Sequence, residues 1–191
     1  MIHYEHSGNM STLVECTDLH REALAVHPHG HPNRGSSLNS LAIALMAHYD
    51  HSGNVSALVE CTDLRREALG LHPHGHPGRG NSLNNLAVAL RTHYEHSGDM
   101  SALVESTNLH RQALTLRSHG HPYRGSSLNN LANVLRIHYE HSGNISALVE
   151  CTDLHREALT LRPHGHPYRG NALNSLANTL MAHYKLSLIH I

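Results

Sequence analysis

The chain has 191 residues, and its 14 lysines and arginines nearly balance its 15 aspartates and glutamates. This balance leaves no basic surface for nucleic acid or for an anionic membrane, so we expect neither as a partner. No apolar run approaches the roughly 20 residues that a membrane-spanning helix needs, and the polar start does not resemble a signal peptide. We therefore predict a cytoplasmic protein. The composition is unusual in histidine, which occurs 23 times.

A segment of 45 residues recurs along the chain without insertion. Its marker is a His-Pro pair, which begins at His31, His76, His121 and His166. A fixed period of this size is typical of stacked helical or strand units rather than of one closed core. We predict one repeat array over residues 1–185, made of about four units and truncated at both ends. We interpret residues 186–191 as a non-native C-terminal scar.

Each unit contains two amphipathic helical patterns separated by glycine. In the copy that starts near Pro77, the first pattern places its apolar residues at the spacing of one helix face. These residues are Leu83, Leu86, Ala87, Leu90 and Tyr94. Gly98 predicts a left-handed end for this helix, and Asp99 suits the N-cap of the next one.

The second pattern runs from Met100 to about Arg117 before Gly and Pro interrupt it. We expect its inward face to consist of Leu103, Ser106, Leu109, Ala113 and Leu116. The same reasoning along the whole chain predicts a short opening helix that stops at Ser7-Gly8. Eight helices in alternating roles should follow it.

The small and apolar positions of both helices carry a family resemblance. They are Leu83, Leu86, Ala87 and Leu90 in the first helix, and Ser106, Ala113 and Leu116 in the second. A proline closes three units, at Pro28, Pro73 and Pro163. With these features the unit resembles the tetratricopeptide repeat, in particular the repeats of kinesin light chains and of long fungal arrays. The usual tetratricopeptide period is about 34 residues, so this unit is longer. The resemblance covers residues 1–185.

The resemblance implies an all-α fold in which antiparallel helix pairs form a right-handed superhelix with the first helices on its concave face. It also implies a scaffold for protein–protein interaction that binds a peptide or a partner helix in that groove. We expect no enzymatic activity and no cofactor. Long arrays of this family are often joined to a nucleotide-hydrolysing or caspase-like domain, so the resemblance implies a larger chain of that kind.

Asparagines form a column on the first helices, opposite the leucine stripe. Because side-chain amides donate and accept hydrogen bonds, such a column can pair with the backbone of an extended peptide. The predicted groove residues are Asn84, Arg91, Asn129, Asn133, Arg136, Asn174 and Asn178. Arg136 should add a fixed positive charge that favours a carboxylate on the peptide. Hydrogen bonds between repeats, or a solvated face, are the alternatives for these amides. Ile43 and Val88 replace Asn133 in the earlier units.

The histidines suggest a second hypothesis, a histidine-rich metal-binding or pH-sensing repeat protein. Imidazole is a good ligand for zinc, nickel or copper, and loop pairs such as His29 and His31 recur in every unit. A closed site needs three or four converging ligands, which loops on successive units do not easily supply. We therefore predict no metal site. We interpret these histidines as surface positions where arginine, glutamine or proline would serve equally, as arginine does at Arg65, Arg117 and Arg162.

The cysteines do not indicate catalysis. Cys16, Cys61 and Cys151 occupy one column of the repeat, and Ser106 completes it. A catalytic nucleophile is singular and is oriented by a base, whereas these residues are interchangeable. We interpret them as reduced packing residues between helices and predict no catalytic residue. A third hypothesis is a gene fragment without an independent function.

Overall fold

The computed structural model describes residues 2–189, with side chains described from 10 to 188, and in this range all regular secondary structure is helical. Eight helices follow one another within it. They are α1 (Ile2–Ala25), α2 (Arg34–Ser52), α3 (Val55–Gly70), α4 (Arg79–Ser97), α5 (Met100–Thr115), α6 (Arg124–Ser142), α7 (Ile145–Thr160) and α8 (Arg169–Ile189).

Helices α1 to α4 form one compact unit, and helices α5 to α8 form a second. In the first unit each helix packs against the next one in the chain, so that α2 contacts both α1 and α3, and α3 contacts α4. The second unit repeats this order, with α6 between α5 and α7, and α7 against α8. The predicted all-α repeat fold is therefore confirmed.

The turn between α2 and α3 takes two residues, and its chemistry explains the reversal. Gly53 adopts a left-handed φ of 68°, which glycine reaches without steric cost, and its N–H donates to the Tyr49 carbonyl at 2.8 Å. Asn54 then caps α3, because its side-chain oxygen accepts from the Ser56 N–H at 3.0 Å. Gly98 has a φ of 72°, as predicted from the sequence. So short a connection folds each first helix back on its second helix.

Two predictions about helix ends are wrong. Helix α1 is continuous from Ile2 to Ala25 and does not stop at Gly8. The two turns before Gly8 are too short for an independent helix, whereas extending an existing helix gains one hydrogen bond per residue fixed. Leu116 is 49% exposed because α5 already ends at Thr115. Helix α8 continues through residues 186–189 of the segment that we interpret as a scar.

The two units contain equivalent cores between a first helix and its following second helix. In the first unit, Leu41, Ala42 and Leu45 of α2 pack against Ala57 and Cys61 of α3. In the second unit the equivalent cluster is Leu131, Ala132, Leu135, Ala147 and Cys151. Small residues at these positions let the helices approach closely, which is how a core without Phe or Trp reaches full burial.

The cysteines behave as the packing residues that the sequence predicts. Cys61 and Cys151 are fully buried, and burial raises the pKa of both thiols. The Cys61 thiol donates to the Ala42 carbonyl across the helix interface at 3.2 Å. A thiol held neutral in this way is a poor nucleophile, so these residues have structural roles.

Candidate functional site

Helices α6 and α8 of the second unit border a depression of about 510 Å³. Helix α6 contributes Asn133, Arg136 and Glu140, and α8 contributes Asn178 and Lys185. The remaining lining residues are Tyr139, Ser175, Met181 and Ala182. Both helices are first helices of their pairs, so the depression lies on the face from which the sequence predicts binding. Three of the predicted groove residues, Asn133, Arg136 and Asn178, meet there.

The charges of this depression differ from the sequence-based expectation. Arg136 does not project a free charge, because its Nη1 donates to Oε1 of Glu140, one turn later on the same helix. Such a pair on an exposed helix face contributes only about 0.2–0.5 kcal/mol, so a stronger partner can displace it. With Lys185 included, the lining contains two cations and one carboxylate.

The other predicted residues are distributed differently. Asn129 and Asn174 lie one helical turn before Asn133 and Asn178, and neither lines the depression. Asn84 and Arg91 belong to α4 in the first unit. There Arg91 pairs with Glu95 at 2.5 Å between Nη1 and Oε1, which repeats the pairing of Arg136 with Glu140.

The amide column of the first unit includes a bond between repeats. The Asn85 side-chain N–H of α4 donates to the Asn39 side-chain oxygen of α2 at 3.3 Å. This is the alternative role considered for these amides, and it occupies part of their capacity. Ile43, at the position equivalent to Asn133, is 57% exposed. The first-helix face is therefore more apolar in the first unit than in the second.

Comparison with known proteins supports the repeat assignment. Residues 34–78 match the tetratricopeptide repeat family model. Two crystal structures of a Podosopora anserina kinesin light chain candidate with nearly identical TPR-like repeats share the fold, with TM-scores of 0.68 and 0.69. Each is 20% identical in sequence, over 96% of this chain and 85% of the other. The chain is a tetratricopeptide-like repeat array. No curated protein matches it significantly.

In this tetratricopeptide-like array the histidine columns have separate structural roles, and the interpretation of all of them as surface positions is wrong. His27 lies where the second helix ends, and its Nδ1 is 2.7 Å from the Ser37 hydroxyl in the first turn of the next helix. Its ring stacks on His31 with centroids 4.2 Å apart. The same arrangement recurs with His72, whose Nδ1 is 2.6 Å from the Ser82 hydroxyl. These imidazoles join one helix pair to the next.

In the second unit of the array, arginine occupies the position of His27 and His72 at this junction. Arg117 is only 4% exposed, and its Nη1 donates to the hydroxyl of Ser127. Its guanidinium also lies 5.6 Å from the centroid of the Tyr123 ring, within cation–π range. Arg162 is 8% exposed at the equivalent position. Burial lowers the pKa of both arginines from their ordinary value.

A further histidine column lies inside the second helices. His155 of α7 is 1% exposed, and burial, followed by the charges of Arg136 and Arg162, lowers its pKa to about 4. Its equivalent in α3 of the first unit is Arg65, which is half-buried and donates to the Asn85 carbonyl at 2.6 Å. Arg65 is therefore also an interhelical contact and not a surface position.

Sequence reasoning missed an arginine that begins every first helix. Arg34 donates from Nη1 to the carbonyl of His27 at 2.7 Å, and its Nε donates to Glu67 at 2.6 Å. In the second unit, Arg124 makes the equivalent bonds to the Arg117 carbonyl and to Glu157. The signal was available, because Arg-Gly follows each His-Pro pair at a fixed distance.

Two further findings concern metal binding and membrane insertion. Among the side chains that the structure describes, no group of three His, Cys, Asp or Glu residues is placed to hold a metal ion. In the same part of the chain, no helix combines the length and apolarity needed to cross a membrane.

Proposed function

We propose that this tetratricopeptide-like array binds an extended peptide or a partner helix on the face of its first helices, with the α6–α8 depression as the principal contact. The supporting observation is that Asn133, Arg136 and Asn178, predicted as groove residues from the sequence, line one depression of about 510 Å³. A volume of this size accommodates a few side chains of a bound segment. The protein is a binding module and not an enzyme.

The lining indicates which segment would fit. The amides of Asn133 and Asn178 supply donors and acceptors for a peptide backbone, which is recognition that tolerates many sequences. Arg136 and Lys185 favour a carboxylate, either of an acidic side chain or of a C-terminus. Glu140 holds Arg136 until a ligand carboxylate replaces it, so a neutral segment gains nothing from this exchange. Met181 is 53% exposed and offers an apolar contact beside the polar groups.

The context of this activity also belongs to the proposal. A binding module of this kind acts in the cytoplasm, as the composition of the chain predicts. It would work as a recognition segment of a larger protein, with a nucleotide-hydrolysing or caspase-like domain as the effector that the family resemblance implies.

A defined peptide ligand tests the proposal. We would select binders of the purified chain from a display library of short peptides and measure the affinity of the best sequence by calorimetry. The double variant Asn133→Ala, Asn178→Ala should retain its helical circular dichroism and lose about 5- to 150-fold in affinity, since two bonds of about 0.5–1.5 kcal/mol each disappear. Arg136→Gln should weaken acidic peptides selectively.

The control variant is His119→Ala, because His119 is exposed in a loop outside the depression. It should bind the selected peptide as the parent does. If His119→Ala abolished binding while the double asparagine variant retained it, recognition would lie in the loops and the groove proposal would fail. A library that yields no specific binder would also count against it.

A further inference from the structure

One amide contact between successive first helices is present in the first unit and lacks its donor in the second. In the first unit, the Asn85 side-chain N–H of α4 donates to the Asn39 side-chain oxygen of α2 at 3.3 Å. The equivalent residues two repeats later are Asn129 of α6 and Ser175 of α8. A serine side chain is shorter than an asparagine side chain and has no amide N–H, so Ser175 cannot reproduce this bond.

Helix α8 nevertheless lies against the second core as α4 lies against the first. One turn after Asn85, Ala89 is fully buried in the first core. Its equivalent in α8, Thr179, is also fully buried, and its hydroxyl is 3.6 Å from the Cys151 thiol of the second core. The position that the Asn85 carboxamide fills in the first unit therefore has its counterpart beside Ser175.

This unfilled position belongs to the α6–α8 depression. Ser175 is one of the lining residues of that cavity of about 510 Å³. Asn129 is half-buried, as Asn39 is, and no hydrogen bond to its side chain occurs within the part of the chain whose side chains the structure describes. A half-buried amide gains stability from a hydrogen-bonding partner, which a bound segment can supply.

We propose that the α6–α8 depression contains a subsite for an asparagine or glutamine side chain of the bound peptide, formed by Ser175 and Asn129. The ligand carboxamide occupies the space beside Ser175 and donates to the Asn129 side-chain oxygen, as Asn85 donates to Asn39. This inference rests on the proposed peptide-binding function and specifies one residue of the ligand.

The surroundings of the subsite favour a neutral carboxamide over a carboxylate. About one turn further along α6 and α8, the lining residues are the neutral amides Asn133 and Asn178, and the cations follow only after them. A carboxylate at the subsite would lose hydration without a cation beside it.

The cations instead predict where the ligand carries its acidic group. Arg136 follows Asn129 on α6 by about 10 Å, and Lys185 follows Ser175 on α8 by about 15 Å, at about 1.5 Å per residue. An extended peptide spans about 3.3 Å per residue. We therefore expect the best ligands to combine an asparagine or glutamine with a carboxylate about three to five positions away, in either direction.

Peptide selection with matched variants tests the subsite. We would select binders of the parent chain, Ser175→Asn and Ser126→Asn from one display library. Parent binders should be enriched in asparagine or glutamine at one position, and replacing that residue by alanine should weaken binding about 2- to 12-fold, the equivalent of one bond of about 0.5–1.5 kcal/mol. Ser175→Asn should lose this enrichment, because its own carboxamide fills the subsite. Ser126→Asn is the control and should keep it, because Ser126 is exposed outside the depression.

A measurement without ligand checks the same contact. Ser175→Asn should raise the midpoint of thermal unfolding, and the gain should disappear when Asn129→Ala is added. Ser175→Leu introduces a side chain of similar size without an amide, and it should show no gain that depends on Asn129.

The outcomes distinguish this inference from the proposed function. A library without any specific binder would contradict the groove itself and the subsite with it. Binders that depend on Asn133 and Asn178 but show no preference for asparagine or glutamine would leave the groove proposal intact and overturn the subsite. An equal preference in Ser175→Asn would also overturn it, as would a thermal gain from Ser175→Asn that persists without the Asn129 amide.

Discussion

The two units of the molecule use the same fold, with arginine in place of histidine at the junctions of the second unit and with Arg65 of α3 at the position where α7 has His155. In the first unit, His27 and His72 join the helix pairs, and Arg65 of α3 donates to the Asn85 carbonyl of α4. In the second unit, Arg117 holds the junction and His155 lies inside. Of these residues, only His155 of the second unit is a buried imidazole that lies near arginine charges, those of Arg136 and Arg162.

This comparison shows that the apolar core positions and the polar junction positions of the repeat vary independently. The leucine, alanine and cysteine positions are equivalent in the two cores, so they define the helix pairing. The junction positions only need a side chain that reaches a serine hydroxyl, which both His72 and Arg117 do. The units should therefore respond alike to changes in the core and differently to acid.

The largest expected effect tests whether the cores are equivalent. Leu41→Ala in the first unit and Leu131→Ala in the second each empty a site that is at most 2% exposed. Each substitution should reduce the free energy of unfolding by roughly 2–5 kcal/mol, because it removes buried methylene groups and leaves a cavity. Chemical denaturation followed by circular dichroism measures both. Costs that differ several-fold would show that the two cores are packed differently.

Acid should destabilise the second unit more than the first, because of His155. Because the pKa of folded His155 is about 4, below the ordinary value near 6.5, the unfolded chain binds more protons between these values. The part of the free energy of unfolding that depends on neutral His155 is fully present above pH 6.5. It is lost as the pH falls toward 4, by up to about 3 kcal/mol. His155→Gln should flatten this dependence when unfolding is measured at pH 7 and pH 4.5.

Two variants sharpen the acid comparison. His164→Gln changes an exposed loop histidine and should leave the pH dependence of unfolding as in the parent. Arg65→His transfers the residue type of the second unit to the first and should increase the loss of stability in acid. An unchanged pH dependence in His155→Gln would show that the buried imidazole is not the sensitive group.

Overpacking gives a smaller effect that again should be equal in both units. Ala42 and Ala132 are fully buried where the paired helices approach. Ala42→Leu and Ala132→Leu should each destabilise the protein by roughly 1–3 kcal/mol, since the extra methylenes push the helices apart. Thermal unfolding checks both, with Ala47→Leu as the control, because Ala47 is exposed on α2. If the buried variants melted like the parent, the close approach of the helices would be contradicted.

The sequence predicted what depends on periodicity and missed what depends on side-chain reach. The positions of Leu83, Leu86 and Leu103 in the core follow from helical spacing, and Gly98 marks its turn because only glycine adopts that conformation readily. The burial of Arg117 and His155 could not be predicted from spacing. A long or titratable side chain is buried only if a hydroxyl or a carbonyl on another helix lies within reach, and a sequence does not give that distance.

The candidate groove shows the same limit. Its helix face was predictable from the asparagine column, and Asn133, Arg136 and Asn178 do line one depression. The pairing of Arg136 with Glu140 competes with every other use of that arginine, and the bond between Asn85 and Asn39 shows that amides of successive first helices also bond to each other. Spacing identifies the face, but competition among neighbouring polar groups decides which side chains remain available.

The smallest expected effect distinguishes the two kinds of junction. Burial, followed by the charge of His76, lowers the pKa of His72, so its bond to Ser82 joins neutral groups at pH 7. Ser82→Ala should therefore cost about 0.5–1.5 kcal/mol, whereas Ser127→Ala removes an acceptor from charged Arg117 and should cost about 1.5–3 kcal/mol. Chemical denaturation at pH 7 measures the difference, which is about 1 kcal/mol.

The last repeat allows the reverse test, in which a hydroxyl is added instead of removed. Ala172 occupies the position of Ser127 and is 1% exposed, so Arg162 has no serine hydroxyl at this place. Ala172→Ser should raise the free energy of unfolding by up to about 1.5 kcal/mol, since the added hydroxyl accepts from a buried guanidinium in a site that already fits serine in three other repeats. Equal costs for Ser82→Ala and Ser127→Ala, together with no gain from Ala172→Ser, would mean that the hydroxyl only fills space. The exchange of histidine for arginine would then have no energetic consequence at this junction.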